Sequence, residues 1–428
     1  MLLSHHSILV TLQKINDMKK TLLPKSFVRP LLRPIATLLF FLLILTAGWA
    51  QPNWSVNIGS DRSTWLNVGL LGRSDQVGGV SLNAISGVVR DDMRGVQVAG
   101  LLTATMESVW GVQTSALLNY GGRSVRGVQL SGLMNLTRHS LYGVALSGIG
   151  NFSGRAMRGV QLSGLMNVVV REANGVQLSG LANVSRKQNG VQLTGFTNIA
   201  GEMGGGLQLA GATNIVYRSR RTVQLALTNF AMEQMGGLQL GVANYAGEVN
   251  GVQLGLVNLA IEGVRGVQFG LVNVSRDTTA LKLGLVNVCP GHTRVQLLLF
   301  GGNTTKTNVA ARFTNGSVYT IVGGGTHYLG LNKDFSGSFF YRLGYQLPLK
   351  GRWSVHGDGG FVHIESFHDN SAESPSRFYA LQLRAGLECR LNRHLSVFGD
   401  GGYSWTREYH HARMFRHKPV VELGVAIL

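Results

Sequence analysis

The chain has only two cysteines, Cys289 and Cys389, in 428 residues. That is too few for a disulfide framework, although export would permit one bond between them. Long apolar runs are also missing. The longest candidate, residues 35–47, is too short for a membrane-spanning helix, which needs about 20 residues. Acidic residues are scarce, 21 Asp and Glu against 39 Lys and Arg, a formal net charge of +18. No nucleophile stands in a recognisable arrangement with a base, so neither an enzyme nor a cofactor is expected. His363, Glu365, His368 and Asp369 lie close in sequence, and His410, His411 and His417 share a segment. A metal centre needs ligands converging at defined distances, and loop-tip clusters of this kind are ordinarily solvated, so no metal is expected. HGDGG at 356–360 and FGDGG at 398–402 have the composition of phosphate loops. They lie in strand-like segments with no helix after them, which points to a duplicated hairpin with small inward residues.

What the chain has in abundance is glycine at a fixed period. Gly95, Gly111, Gly127, Gly143, Gly159 and Gly175 recur at one unvarying interval, each opening a unit such as GVQLSGLMN. Variants continue at Gly190, Gly206, Thr222, Gly237, Gly251, Gly266 and Leu281. Such a period marks a repeat architecture. Glycine twice per unit disfavours helix, and a strand with a crossover helix needs about 30 residues, far more than one interval supplies. The unit therefore suits one coil of a β-solenoid. Later units lose one residue at the Ser-Gly corner, where a deletion is tolerable; in mid-strand it would reverse every side chain.

Stacking explains the constant amides. Asn135, Asn151, Asn167, Asn183, Asn198 and Asn214 fall at one position of successive units and would form a ladder, each amide bonded to the next at about 4.8 Å. The ladder also accounts for the N-x-S/T sequons at Asn135, Asn151, Asn183 and Asn273 without glycosylation. A second ladder of glutamines, including Gln97, Gln113, Gln161 and Gln177, is expected on the outward face, since Val160 and Leu162 point opposite to Gln161.

Taken in order, residues 1–50 read as a secretory signal region: basic residues, an apolar run, then Gly48-Trp49-Ala50 before Gln51. Met18 is the more typical start. This region carries six Lys/Arg and one Asp, so its removal leaves +18 − 5 = +13. Residues 51–78 contain no full repeat and read as an N-terminal cap over the open edge of the first coil. Residues 79–293 are the expected parallel solenoid, about fourteen coils and roughly 65 Å long at about 4.8 Å per coil. Its charges gather in variable segments. Arg155, Arg158, Arg186, Lys187, Arg218, Arg220 and Arg221 form the candidate polyanion-binding set, for lipopolysaccharide, anionic glycan or a host surface component. The plain alternative is a solvated edge. No aromatic residue interleaves with these arginines in sequence, so nucleic acid is not expected.

From residue 294 the pattern changes to clean alternation, as in Tyr379-Leu381-Leu383-Ala385-Leu387 with Gln382, Arg384 and Glu388 between. Strands are expected at 294–302, 308–315, 317–325, 335–347, 353–366, 377–391, 395–406 and 419–428. Tight turns at Asn315-Gly316, Lys350-Gly351 and Asn392-Arg393 alternate with long polar loops. Eight such strands with one apolar face describe an antiparallel barrel in contact with outer-membrane lipid. A soluble β-domain packed on its own apolar face is the alternative at this point. Leu428 falls on the opposite face from Val425 and Ile427, so the terminal pattern of an outer-membrane barrel is imperfect. Eight strands leave an interior filled by side chains, which weighs against a channel.

The G-[VL]-Q-[LF]-x-G-[LF]-x-N unit resembles the repeats of a family of bacterial outer-surface repeat proteins, over roughly residues 79–290. FYALQLRAGLECRLNRHLSVFGDGGYSW and VVELGVAIL resemble outer-membrane barrel hairpins. The resemblance implies display at the surface of a Gram-negative cell and host contact or adhesion. It brings no catalytic residues.

Overall fold

The structure is a computed structural model that describes residues 53–60, 63–277, 280–328, 336–367, 377–409 and 416–428. The expected signal region lies outside the described residues. The protein is all-β, a parallel solenoid of about fourteen turns and a closed antiparallel barrel of eight strands. Two compact units divide the chain, Met1–Leu240 and Gly241–Leu428, so the last coils group with the barrel.

In the first unit, Trp54–Ser60 runs antiparallel to Ser63–Ser74, pairing Val56 with Val68. Every later pairing in this unit is parallel, beginning with Ser63–Ser74 on Val77–Val89. In the equal-length coils the repeat sets the register without slippage. Gly143 lies beside Gly159 and Gly127, and Val144 beside Val160 and Val128. The Thr222 unit places its deletion at the corner as expected. Leu209 pairs with Leu225, but past the corner Thr213 pairs with Thr228. The Gly190 unit instead loses its residue in the variable segment, between Val169 and Glu172 of the preceding coil.

Glycine heads all but the Thr222 and Leu281 units, and at the other heads it takes a positive φ. Gly159 has φ +135°, and a Cβ there would lie 2.0 Å from the Gly143 carbonyl oxygen of the preceding coil. A side chain would be strained in backbone and would also push adjacent coils apart.

The glutamines require a correction. Gln97, Gln113, Gln129, Gln161, Gln177 and Gln192 are completely buried, whereas Leu162 and Leu178 are 39% and 37% exposed. The alternation is as expected but the faces are exchanged. Alternation places Val and Leu opposite Gln; it does not say which side is inside. The deciding column lies four residues before each glutamine, on the same side. Met93, Val109, Val125, Leu141 and Met157 are all buried there, in one apolar core with Val77, Val89, Val169 and Ala173. Buried amides are tolerated because the next rung satisfies them, as where Gln177 Nε2 donates to Gln161 Oε1 at 3.1 Å.

In the second unit, Ala243–Leu254 stacks in parallel on Val257–Phe269, and the last short strand is Val286–Val288. The barrel follows as Arg294–Gly302, Thr305–Asn315, Val318–Tyr328, Ser336–Pro348, Trp353–Ser366, Arg377–Arg390, Leu395–Glu408 and Arg416–Ile427. Neighbours pair in order, and the first strand closes on the last, with Leu299 opposite Val425. Gly316 and Gly351 occupy the left-handed region in two of the tight turns, at φ +61° and +80°.

Candidate functional site

The asparagine column lies wholly inside the solenoid. Asn167 is 0% exposed. Its Nδ2 donates to Asn183 Oδ1 at 3.0 Å and to the Leu178 carbonyl at 2.7 Å, and its Oδ1 accepts from Asn151 Nδ2 at 2.9 Å. The same pair of bonds recurs for Asn135, Asn151, Asn183, Asn198 and Asn214. Each asparagine thus ties its own coil to the next twice, through an amide and through the leucine carbonyl where the strand bends away. These side chains face no solvent and belong to the frame.

The glutamine column is less regular. Ala145 replaces glutamine in one coil and is buried. On either side of this gap hydroxyls take over: Thr137 Oγ1 donates to Gln129 Oε1 at 3.0 Å, and Gln161 Nε2 donates to Ser153 Oγ at 3.0 Å.

The structure does not gather the seven basic candidates into one patch. Lys187 and Arg218 enter a column of alternating sign. Lys187 lies 3.8 Å from Glu172, and Arg218 donates to Glu233 Oε1 at 2.5 Å; Glu202 aligns with both basic residues in the register. The carboxylate of Glu233 pushes the Arg218 pKa up. Arg155, Arg186, Arg220 and Arg221 are exposed without sharing a single column.

Arg158 stands in a different arrangement, which requires a second correction. Aromatics do interleave with arginines, at the repeat spacing. Arg94 lies over the Trp110 ring at 5.0 Å, and Arg126 and Arg158 approach the Tyr142 ring from the two neighbouring coils at 5.6 and 5.9 Å. The partners stand one full repeat apart in sequence and become visible only when coils are aligned.

The barrel buries an apolar cluster that includes Leu298, Phe300, Ile321, Phe340, Ile364 and Phe398, and it exposes a second apolar surface. Its outward side is apolar and exposed, as at Leu297, Phe339, Leu381, Leu383, Val421 and Leu423. Its inward side carries charges in pairs. Arg342 holds Glu422 through two bonds of 2.8 and 3.0 Å, Arg312 lies 2.8 Å from Glu388, and Arg384 Nη2 lies 2.8 Å from Asp358. His356 Nε2 and Asp400 Oδ1 are 2.6 Å apart, and the Tyr319 hydroxyl donates to Asp358 at 3.0 Å. Trp353 stands at the tight-turn end of its strand, whereas Tyr403 and Trp405 pack edge to face toward the other end. Both glycine-rich motifs lie inside strands, Trp353–Ser366 and Leu395–Glu408.

No protein-family model matches this chain, and no curated protein matches it. Among solved structures, the N-terminal β-barrel domain of Pseudomonas aeruginosa OprF is similar at 11% identity and TM-score 0.24, over 31% of this chain and 93% of that one. Neisserial surface protein A (NspA) is similar at 9% identity and TM-score 0.23, over 31% and 92%.

At the end of the solenoid, the asparagine column runs into the barrel. Asn287 Nδ2 donates to Thr320 Oγ1 at 3.0 Å, and Asn315 Nδ2 donates to the Asn287 carbonyl at 3.0 Å. The tight-turn end of the barrel therefore continues the stack. Lys282 takes the glutamine position in the last coil, with Nζ donating to the Asp277 carbonyl at 2.6 Å, and burial lowers its pKa. Cys289 is buried, its thiol donating to the Arg276 carbonyl at 3.2 Å; burial raises its pKa. Cys289 and Cys389 are both free thiols. His368, Asp369, His410 and His411 lie outside the described residues; among the described residues no three His, Cys, Asp or Glu side chains could hold a metal ion.

Proposed function

We propose that this chain is a non-enzymatic outer-membrane protein of a Gram-negative cell, in which the barrel is a closed anchor and the solenoid a scaffold with a structural or binding role. The supporting observation is the exposed apolar outer face of a closed barrel whose charged pairs are buried inside. Lipid is the medium in which that outer face is stable. The filled interior favours an anchor over a small channel, because Arg312, Arg342 and Arg384 are already held by Glu388, Glu422 and Asp358 and an apolar cluster packs beside them. A binding role toward an anionic glycan rests on the exposed arginines Arg155, Arg186, Arg220 and Arg221; adhesion to outer-leaflet lipopolysaccharide or a host surface would require the solenoid to lie outside the cell.

Leu383 is 57% exposed at the middle of its strand. Leu383→Arg puts a charge on the lipid side and is expected to cost about 2–4 kcal/mol near the bilayer centre. The heat-modifiable gel shift of membrane fractions should be reduced. Assembly equal to wild type, or recovery of the protein in the soluble fraction, would exclude the membrane anchor.

The side of the membrane follows from the tight turns. Short turns of outer-membrane barrels face the periplasm. Asn287, the last rung of the solenoid, bonds next to the Asn315-Gly316 turn. The reading therefore puts the solenoid in the periplasm. Protease added to intact cells should leave it uncut, and cleavage should require a permeabilised outer membrane. Cleavage of the solenoid on intact cells would reverse the orientation.

A further inference from the structure

The long strand of each early coil presents its apolar side chains to solvent. Two residues beyond the Arg94–Trp110–Arg126–Tyr142–Arg158 column lies a column of valines, Val96 to Val160. The next outward column ends in Leu130, Leu146 and Leu162, and past the corner stand Leu133, Ile149 and Leu165, at 41%, 39% and 48% exposure. Leu130, Leu146 and Leu162 line a shallow groove of about 390 Å³ with the serines and Gly132 of the corner. Over these coils, no Asp or Glu occupies any of the columns.

A contiguous apolar face built from several aligned columns is the kind of surface that marks an interaction site. Its edge identifies the cover. Arginine and aromatic rings bordering an apolar surface form the pattern of an interfacial membrane contact, in which rings and alkyl stems sit at the headgroup level and the guanidinium reaches phosphate. A second copy of the face fits less well. It offers no carboxylate, so its arginines would lose water without gaining a counter-charge.

We propose that this face docks on a phospholipid leaflet, with Arg94, Arg126 and Arg158 on lipid phosphates and the leucine columns at the acyl boundary. The proposal rests on the membrane-anchor reading. Docking then competes with free solvation of the same rod, and anionic lipid shifts the balance.

The test uses the full chain carrying Cys289→Ala, Cys389→Ala and Ile149→Cys, labelled with an environment-sensitive fluorophore. It is refolded into vesicles of phosphatidylcholine alone or with phosphatidylglycerol added, and barrel folding is followed separately by gel shift. With phosphatidylglycerol, emission should move to the blue and become accessible to a quencher carried on lipid. Arg94→Gln, Arg126→Gln and Arg158→Gln together should lower the docked-to-free ratio on the order of 100-fold, about fivefold for each basic residue near an anionic surface. Water-like emission in both vesicles with a folded barrel overturns the proposal. So does a blue shift that follows protein density rather than phosphatidylglycerol content, which would identify a second copy as the cover. Failure of the gel shift in both lipids overturns the anchor reading, and the proposal with it.

Discussion

Arg384→Met is expected to cripple barrel assembly while Arg384→Met combined with Asp358→Leu restores most of it. The Arg384 side chain is 0% exposed and those of Asp358 and Glu422 are 1% and 2% exposed. Arg384 donates through Nε and Nη2 to Asp358 Oδ1 at 3.0 and 2.8 Å, and through Nη1 to Gln382 at 2.8 Å and Glu422 at 3.3 Å. Methionine fills the space but leaves Asp358 with the neutral Tyr319 hydroxyl, whereas Glu422 retains both bonds from Arg342. Removing one partner of a buried ion pair costs about 3–5 kcal/mol, because the remaining charge is neither solvated nor compensated. Removing both is often neutral, since neither desolvation nor attraction then survives. Urea unfolding in vesicles, read by gel shift, measures the single and double variants. Equal loss in both would mean that Arg384 acts through packing alone and that the lumen network does not hold the barrel closed.

The fold was legible because each half repeats a single rule. Alternation in the C-terminal part locates Arg294–Gly302 and Trp353–Ser366 at their observed ends, and the inward charges Arg342, Asp358, Arg384, Glu388 and Asp400 by parity. Parity also separates Gln161 from Val160 and Leu162. It is silent on which side is the interior, and the familiar assumption of apolar inside fails here because stacked amides satisfy one another. Met157, four residues before Gln161 and on its side, carries the missing information. The surface was legible only in part. Arg126 and Tyr142 are a full repeat apart, as are Tyr142 and Arg158, so their contact belongs to the column and not to the linear sequence. The pairing of Lys187 with Glu172 and of Arg218 with Glu233, each across one shortened repeat, was hidden in the same way. A linear count of arginines overstates the free positive charge of the rod.

Column reading also ranks the two ladders, and the natural gap at Ala145 supplies the comparison. The glutamine column survives the loss of one rung because Thr137 and Ser153 hydroxyls reach the neighbouring amides. No corresponding gap interrupts the asparagines from Asn119 to Asn229 in the first unit, and each of these also holds the corner carbonyl of the next coil. Asn167→Leu keeps roughly the volume but leaves Leu178 O and Asn183 Oδ1 without their 2.7 and 3.0 Å donors, and Asn151 Nδ2 without its 2.9 Å acceptor. Each orphaned buried group costs about 1–3 kcal/mol, so the combined loss should exceed that of Gln161→Ala, which widens the natural gap at Ala145 by one rung and takes the acceptor only from Gln177 Nε2. Because each coil contacts only its neighbours, the damage should open the stack locally rather than melt the whole rod. Limited proteolysis of the full chain should then cut between coils near Asn151 and Asn183 in Asn167→Leu and spare Gln161→Ala. Equal resistance of both variants would show that the asparagine column is no more essential than the glutamine column, and that backbone pairing alone holds the coils together.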